Sequence, residues 1–510
     1  MIQKIFKNAR VFDLQAKTFS LKNIIVKDAK IKEITNDINC DDGSEIIDLN
    51  DRIVLKPFCD FHIHLPASFL YDDYGINLSQ CASMREMRKQ LIHGRKCGQL
   101  IRGFGWDINL LNCFFKKSKK DPLKYLDQLF PNETVILFSV DFHTCWCNTN
   151  AIKELRKYNL KPKTIIDDTA CHNNCFYDGH IAAKIFDDNS FSFTDEEIRS
   201  SILKQQKQLL KYGITEVNAF MFIGTTRMRA LRVLWKMDQE GELLIKINCC
   251  YDIYPYMTIP DIEKQIKKSQ KYCSKHIAFK WLKVYMDGVI ENHTAFLKKQ
   301  YSDKKTTGKC FWEKEKLRQV IDYSYAIDLP LHIHAIGDAA SEFIVALLSQ
   351  YPKREKKPHV LAHLQLCSKQ TMELMAQYNI LACLQPFWFY RGNDALQIDK
   401  KRLGERVFNQ YPANTFLKKG VRILLSSDAP VTNDYNPLKG IQRAVFEDHS
   451  NETIKLSDAL SAYQCGAYEN KNNSLCIGDD ASFIVLDGDF SGDDYPQLYA
   501  ICLDGERITI

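Results

Sequence analysis

Apolar and polar positions alternate at both ends of the chain, and between those ends strand-like apolar runs take turns with helical ones. The opening segments IFKNARVFD and FSLKNIIVKDAKIKEI change face residue by residue and turn at Asn-Ala and Asp-Ala, the mark of short strands. The closing segments ASFIVLDGDF and LYAICLDGERITI repeat the pattern. Neither end has enough strands to bury a face alone, so the pattern predicts one small β domain made from residues 1–55 and 468–510 together.

The middle, residues 56–467, predicts βαβ units on a parallel sheet. Eight strand cores stand out: RIVLKPFCDFHIHL, GITEVNAFMF, ELLIKINCCYDIY, AFKWLKVYMDG, LPLHIHAIGD, HVLAHLQ, NILACLQPFWF and VRILLSSDAP. Helical stretches such as EEIRSSILKQQKQLLKYG and SKQTMELMAQY separate them. That count is what an α/β fold of the (β/α)8 TIM-barrel kind requires. About 140 residues lie between the first two strands, too many for a loop without structure of its own. The gap carries strand-like runs, QLIRGFGWD and TVILFSVDFHTCWCN, so an inserted subdomain is predicted over about residues 66–205.

Composition narrows the class. The 510 residues are 45% hydrophobic and 26% charged, a globular balance that excludes a disordered or collagen-like protein. The 69 basic and 63 acidic side chains leave a net charge of +6, too small to suggest nucleic acid, and no basic stripe with interleaved aromatics adds to it. The opening MIQKIFKNARVFDLQAK holds no apolar core of a signal peptide, and no apolar run approaches a membrane span. A cytoplasmic location is therefore expected. The 18 cysteines are scattered, as reduced core thiols would be there. Cys171-His-Asn-Asn-Cys175 looks like half a zinc site, but no second pair stands at a matching spacing.

His62 and His64 sit two apart at the end of the first barrel strand, where a period of two puts both imidazoles on one face. Catalytic groups gather at the C-terminal ends of barrel strands, and two neutral imidazoles suit a borderline metal such as zinc. Further ligand types recur at strand ends: His334 on the fifth, His363 on the sixth and Asp428 after the eighth. Lys283 falls inside the fourth, where a cation is costly unless paired or chemically altered.

These residues sit in motifs that resemble those of the amidohydrolase superfamily, and within it the amidohydrolase family 3 branch of YtcJ-like metal-dependent hydrolases and N-substituted formamide deformylases. Asp60-Phe-His62-Ile-His64 matches D-x-H-x-H, and Gly103-Phe-Gly105-Trp106-Asp107 matches G-x-G-W-D. His143 through Asn148 matches H-S-A-W-V-N, and Lys283-Val-Tyr-Met-Asp287-Gly288 matches K-x-x-x-D-G. His334-Ala-Ile-Gly337-Asp338, His363-Leu-Gln365 and Ser427-Asp428-Ala429-Pro430 match H-A-I-G-D, H-A-Q and S-D-A-P. The resemblance runs over nearly the whole chain.

It implies a metallo-barrel with a small composite β-sandwich from both termini, and hydrolysis of a carbon–nitrogen bond of the amide, N-acyl or N-formyl kind. It also implies that His62, His64 and Asp428 bind one divalent ion, expected to be zinc, and His334 and His363 a second. Lys283, carboxylated on Nζ by carbon dioxide, would bridge the two. A carbamate replaces a costly buried ammonium with an anionic oxygen ligand that two cations can share. The paired metals would turn a shared water into a hydroxide nucleophile and polarise the scissile carbonyl. Asp428 would take the proton and return it to the leaving nitrogen. His143, Trp146, Asp287 and His293 are the substrate-binding candidates.

The chain departs from the family pattern in places. Lys56-Pro57 replaces Pro-Gly before the first strand, Phe142 replaces the Gly before His143, and Ala362 replaces the usual Glu before His363. The fourth-strand loop reads Asp287-Gly-Val-Ile-Glu291-Asn-His293-Thr294 where the family shows D-G-S-L-G-S-R-T, so His293 stands in place of an Arg. His332 shares a face with His334, but the family has no His there, and a packed strand histidine is expected. Lys280 competes with Lys283 for the carbamate role; opposite strand parity and the motif spacing favour Lys283. Trp106, Trp146, Phe387, Trp388 and Tyr390 either line a pocket or pack the insertion.

Two rival functions share these features. A heterocyclic amidine deaminase of the same fold would use one metal and a Glu acid near the fifth strand. A non-catalytic scaffold would need no ligands, whereas all six ligand positions are filled. The expected partner is a small-molecule substrate, with no nucleic acid or membrane, and a homodimer is expected.

Overall fold

A computed structural model describes residues 3–13, 16–38, 43–94, 100–139, 144–157, 161–162, 174–178, 193–220, 225–389, 392–432, 434–447, 451–469, 474–492 and 494–508. Its residues form two compact units, one of Met1–Ile63, Gln206–Phe220 and Gly241–Ile510, the other of His64–Gln205 and Met221–Glu240.

In the first unit, β1 (Lys4–Asp13) pairs antiparallel with β2 (Thr18–Lys27), and β2 with β3 (Lys30–Thr35). The other edge of β1 is shared: β4 (Glu45–Asp48) lies parallel to its first half and β5 (Ile53–Leu55) to its second. The apolar run read as the first barrel strand is in fact two strands. Pro57 lacks the amide hydrogen a continuous ladder needs, and beyond it β6 (Phe58–Ile63) leaves the terminal sheet for the barrel.

The second unit holds a five-stranded sheet in the order β11-β10-β9-β8-β7, where β7 is Ile76–Asn77, β8 Leu100–Trp106, β9 Thr134–Ser139, β10 Thr144–Cys147 and β11 Phe176–Asp178. The G-x-G-W-D residues build this sheet. Gly105 has φ +90°, and a Cβ there would meet the Ser79 amide nitrogen at 2.7 Å, so only glycine fits. Trp106 Nε1 donates to the Leu137 carbonyl at 2.7 Å. Asp107 caps the helix Ile108–Ser118 by accepting from the Asn109 and Leu110 amides. Asn148, last of the H-S-A-W-V-N match, accepts from Val135 N and Ala151 N, the second of which caps the helix Thr149–Arg156.

The barrel strands that follow are β12 (Ile214–Ala219), β13 (Lys246–Ile253), β14 (Ile277–Tyr285), β15 (Leu331–Ala335), β16 (Val360–His363), β17 (Leu381–Leu384) and β18 (Ile423–Leu425). With β6 they form an eight-stranded sheet, each strand parallel to its neighbour. Helical stretches read from the sequence lie between them, including Asp195–Lys211 before β12 and Lys369–Gln377 before β17. The interior is filled by side chains such as Phe61, Cys250, Trp281, Ala362, Cys383 and Leu424.

The barrel is nearly closed. Among the described residues no ladder joins β18 to β6. The Asp428 amide instead donates to the His62 carbonyl at 2.8 Å. Ser427 reaches Asp60 through its amide to Oδ1 at 3.1 Å and its hydroxyl to Oδ2 at 2.5 Å. Side chain and loop close the ring that strand pairing leaves open.

The chain ends with β19 (Phe483–Asp487), β20 (Gln497–Leu503) and β21 (Glu506–Ile508), and β19 pairs antiparallel with β5. Strands from the two ends of the chain thus share one sheet, ordered β21-β20-β19-β5-β1-β2-β3 with β4 on β1. Phe6, Ile24, Val26, Val54, Phe483 and Val485 form its core. No helix among the described residues is long and apolar enough to cross a membrane.

Candidate active site

Parallel strands carry their inward side chains to the same barrel end, so residues far apart in sequence converge there. His62 Nε2 lies 3.4 Å from Asp428 Oδ1, and both side chains are buried. The His62 ring centre is 5.0 Å from that of His363, which is 4.6 Å from that of His334. His363 is fixed from two sides: Nδ1 is 3.1 Å from Gln385 Oε1, and its ring stacks on Trp388 at 5.2 Å. Gln385 is held in turn by donating to Ser426 Oγ at 2.9 Å. His334 Nε2 lies 3.3 Å from the Gly288 carbonyl oxygen. His64 follows His62 by two residues, just past β6, and is buried.

Lys283 is the unusual group. It is wholly buried within β14, and its Nζ has no hydrogen-bond partner. The ammonium stands 4.4 Å from the Phe220 ring centre and 4.9 Å from that of Tyr285. Burial lowers its pKa to about 8, against the pull of nearby Asp428 and Asp252. Phe220 also packs against His62 at 4.3 Å, so one ring supports both groups. Imidazole nitrogens, a carboxylate oxygen and an unpartnered lysine amine are a donor set that fits divalent metal and a lysine carbamate.

The backbone bends to aim these side chains. His363 has φ +78° and Asp428 φ +59°, a left-handed conformation uncommon outside glycine that costs of the order of 1–3 kcal/mol per residue. Asp60 holds the seam beside them: Oδ1 accepts from the His62 amide at 3.1 Å as well as from Ser427. Burial pushes its carboxyl up to about 6, although those hydrogen bonds pull the other way.

The expected substrate contacts fall in different places, and Asp287 stays beside the ring of site residues, its Oδ1 3.7 Å from His334 Nε2. Asp287 is fully buried, accepting from the Phe296, Ile336 and Gly337 amides at 2.8, 3.0 and 2.9 Å. It is a latch between the loop after β14 and the turn after β15. Burial raises its carboxyl to about 7. Gly337 completes that latch, because a Cβ there would sit 1.9 Å from the Phe296 carbonyl oxygen. Trp146 is fully buried in the core of the second unit, stacked on Tyr125 and Phe176, so of the two readings for this ring packing holds. His293 is 14% exposed and its Nε2 lies 2.9 Å from Asp303, which also pairs with Arg402. Desolvation lowers its pKa. His143, Phe142, Cys171 and Tyr390 lie outside the described residues.

The two lysines of β14 are separated by environment more than by parity. Cys249 pairs with Phe279 and Cys250 with Trp281, so Lys280 is the extra residue of a bulge and simple alternation does not carry through to Lys283. Lys280 Nζ lies 3.3 Å from Glu216 Oε1. The sequence reading missed Phe220, Gln385 and the seam role of Asp60. Phe220 and Gln385 each directly follow a barrel strand, as a positional scan of strand ends would have found.

Comparison with known proteins gives one consistent picture. A family model described as Amidohydrolase family matches residues 45–501. The chain is 25% identical over 493 residues to a protein of Bacillus subtilis (strain 168) called putative amidohydrolase YtcJ, covering 90% of this chain and 88% of that one. A crystal structure of an uncharacterized metal-dependent hydrolase from Pyrococcus horikoshii superposes with a TM-score of 0.73 at 21% identity, covering 96% of this chain and 98% of that one. A second of the same description, from Pyrococcus furiosus, gives 0.71 at 21% identity, covering 96% and 99%.

Proposed function

The chain belongs to the amidohydrolase family, and we propose that it is a metal-dependent hydrolase cleaving an amide, N-acyl or N-formyl carbon–nitrogen bond of a small molecule. The observation that carries this reading is the Lys283 amine, buried and unpartnered beside the His62 and Asp428 pair. An isolated ammonium there is costly. Its neutral form can add to carbon dioxide and release a proton, and the resulting carboxylate can balance cations. In this reading His62, His64 and Asp428 would hold one divalent ion, expected to be zinc, His334 and His363 would hold a second, and a carboxylated Lys283 would supply an anionic ligand to both. The names of the Bacillus and Pyrococcus relatives support it.

When bound, the ions would lower the pKa of a water and polarise the scissile carbonyl. The side chains supply the rest. Asp428 holds on its carboxylate the proton taken from the attacking water and delivers it to the leaving nitrogen. Gln385 and Trp388 orient His363, and Phe220 closes the floor of the site against solvent. His143 and His293 are kept as the candidates for meeting the substrate outside this ring. The terminal sheet is proposed as the small sandwich domain of residues 1–55 and 468–510, with the catalytic body over 56–467 and its insertion over about 66–205. A cytoplasmic homodimer is proposed as the working form, to be checked by light scattering.

Metal per chain, measured by mass spectrometry alongside a screen of N-acyl and N-formyl compounds, tests the reading. Two equivalents with turnover support it. One equivalent would favour the amidine deaminase, and none would favour a scaffold.

A further inference from the structure

We propose that His332 is a positioning residue that decides which ring nitrogen of His62 faces the metal. The inference rests on the reading of His62 as a ligand. His332 lies on β15, wholly buried, and its Nε2 is 3.1 Å from His62 Nδ1. The other nitrogen of His62, Nε2, is the one beside Asp428 Oδ1. Both rings rest on Phe220, with centres at 4.3 and 4.4 Å, and Trp281 packs against His332 from another side.

A neutral imidazole carries one N–H and one lone pair. If Nε2 of His62 binds a cation, its proton must sit on Nδ1, which faces His332 Nε2 at 3.1 Å. His332 Nε2 is at hydrogen-bond distance to accept it, its own proton then residing on Nδ1. In the reverse arrangement, His332 donates to His62 Nδ1 and the His62 proton moves to Nε2, where it blocks ligation. The pair therefore has two states, and ligation selects one. Metal-bound histidines are ordinarily oriented in this way by a carboxylate or a carbonyl. Here a second histidine, one layer deeper in the barrel, takes that place.

Cys383 gives the alternative. Its sulfur and one ring nitrogen each of His62 and His332 all lie within 4.8 Å of one another. A metal held by that sulfur would make His332 a ligand. The thiol lies at hydrogen-bond distance from Ser426 Oγ, 3.3 Å, and a cobalt spectrum separates that role from ligation.

The test uses the full chain stripped of metal and titrated with zinc and with cobalt against a competing chelator, for wild type, His332→Phe and His332→Gln. His332→Phe keeps an aromatic ring on Phe220 and removes the acceptor; His332→Gln can return one through its amide oxygen. The expected result is metal affinity weakened about 10- to 100-fold in His332→Phe, partly recovered in His332→Gln, with the unfolding temperature of the metal-free protein unchanged in both. Should the phenylalanine variant not fold, His332→Leu against His332→Gln carries the same contrast. Wild-type affinity in the variant without an acceptor would overturn the inference. So would a sulfur-to-cobalt charge-transfer band that disappears in Cys383→Ser. A wild-type protein that takes up no metal would instead overturn the functional reading on which the inference stands.

Discussion

Lys280 and Lys283 stand three residues apart on β14, near opposite ends of the barrel, and meet opposite fates. At the N-terminal end Lys280 is 34% exposed and paired with Glu216, which also accepts from Asn248 Nδ2 at 2.6 Å. Asn248 donates in turn to Asn218, and Asn218 to the Phe61 carbonyl. His359 at the same end accepts from the Leu331 amide at 2.9 Å. At the C-terminal end Lys283 has no such partner, and histidines crowd where the other end has amides. The first arrangement stabilises a fold. The second leaves a lysine amine uncompensated, and proteins keep such groups where a ligand or a chemical change completes them.

The largest effect that would sharpen this contrast is Lys283→Ala. It should lower metal content and bring turnover close to background, with partial rescue by added short carboxylates. Retention of full metal by that variant would remove the contrast. Next comes Asp428→Asn, which keeps the side-chain shape but cannot carry a proton. Turnover should fall about 100-fold or more while most of the metal is retained; near-normal turnover would show that Asp428 moves no proton.

The third expectation concerns the other end of the barrel. Burial holds the His359 pKa near 3, below its ordinary 6.5, and a proton on Nδ1 would face the Leu331 N–H. The unfolded chain therefore takes up the proton first. The stability His359 contributes is full above pH 6.5 and declines as the pH falls from there towards 3, by about 1 kcal/mol between 6.5 and 5.5. Urea midpoints across that range should show a flatter slope in His359→Gln than in the unmodified protein. The smallest effect belongs to Lys280→Met, expected to change stability by less than about 1 kcal/mol and to leave metal content alone. Loss of metal there would make the two ends alike.

Much of this architecture was legible because its period is local. Alternation marked the terminal strands, and all eight barrel runs appear where the apolar cores stand. What escaped depends on geometry that no local pattern carries. The split at Pro57 was hidden inside one apolar run, since both halves are apolar. The bulge at Lys280 undid a parity argument that a regular ladder would have supported. His332 was read correctly as buried, but its contact with His62 joins positions 270 apart in the chain. Trp146 and Asp287 belong to matched motifs, and in the fold Trp146 fills a core while Asp287 ties two loops beside His334. A motif marks that a residue type is needed without saying for what.

The side-chain seam between Asp60 and Ser427, which stand 367 positions apart, also orders events in time. Most neighbouring barrel strands can pair as soon as each has been made, whereas this closure waits for the last barrel strand and carries the greatest loop-closure cost within the barrel. His62 and Asp428 meet only across that seam. A chain cut short before Asp428 would therefore hold most of the barrel sheet and no complete metal site, and metal uptake would report that synthesis had passed Asp428 and the ring had closed. Pulsed amide exchange during refolding should find the Asp428 amide protected after the ladder amides of β12 to β17; earlier protection would put the seam at the start of folding.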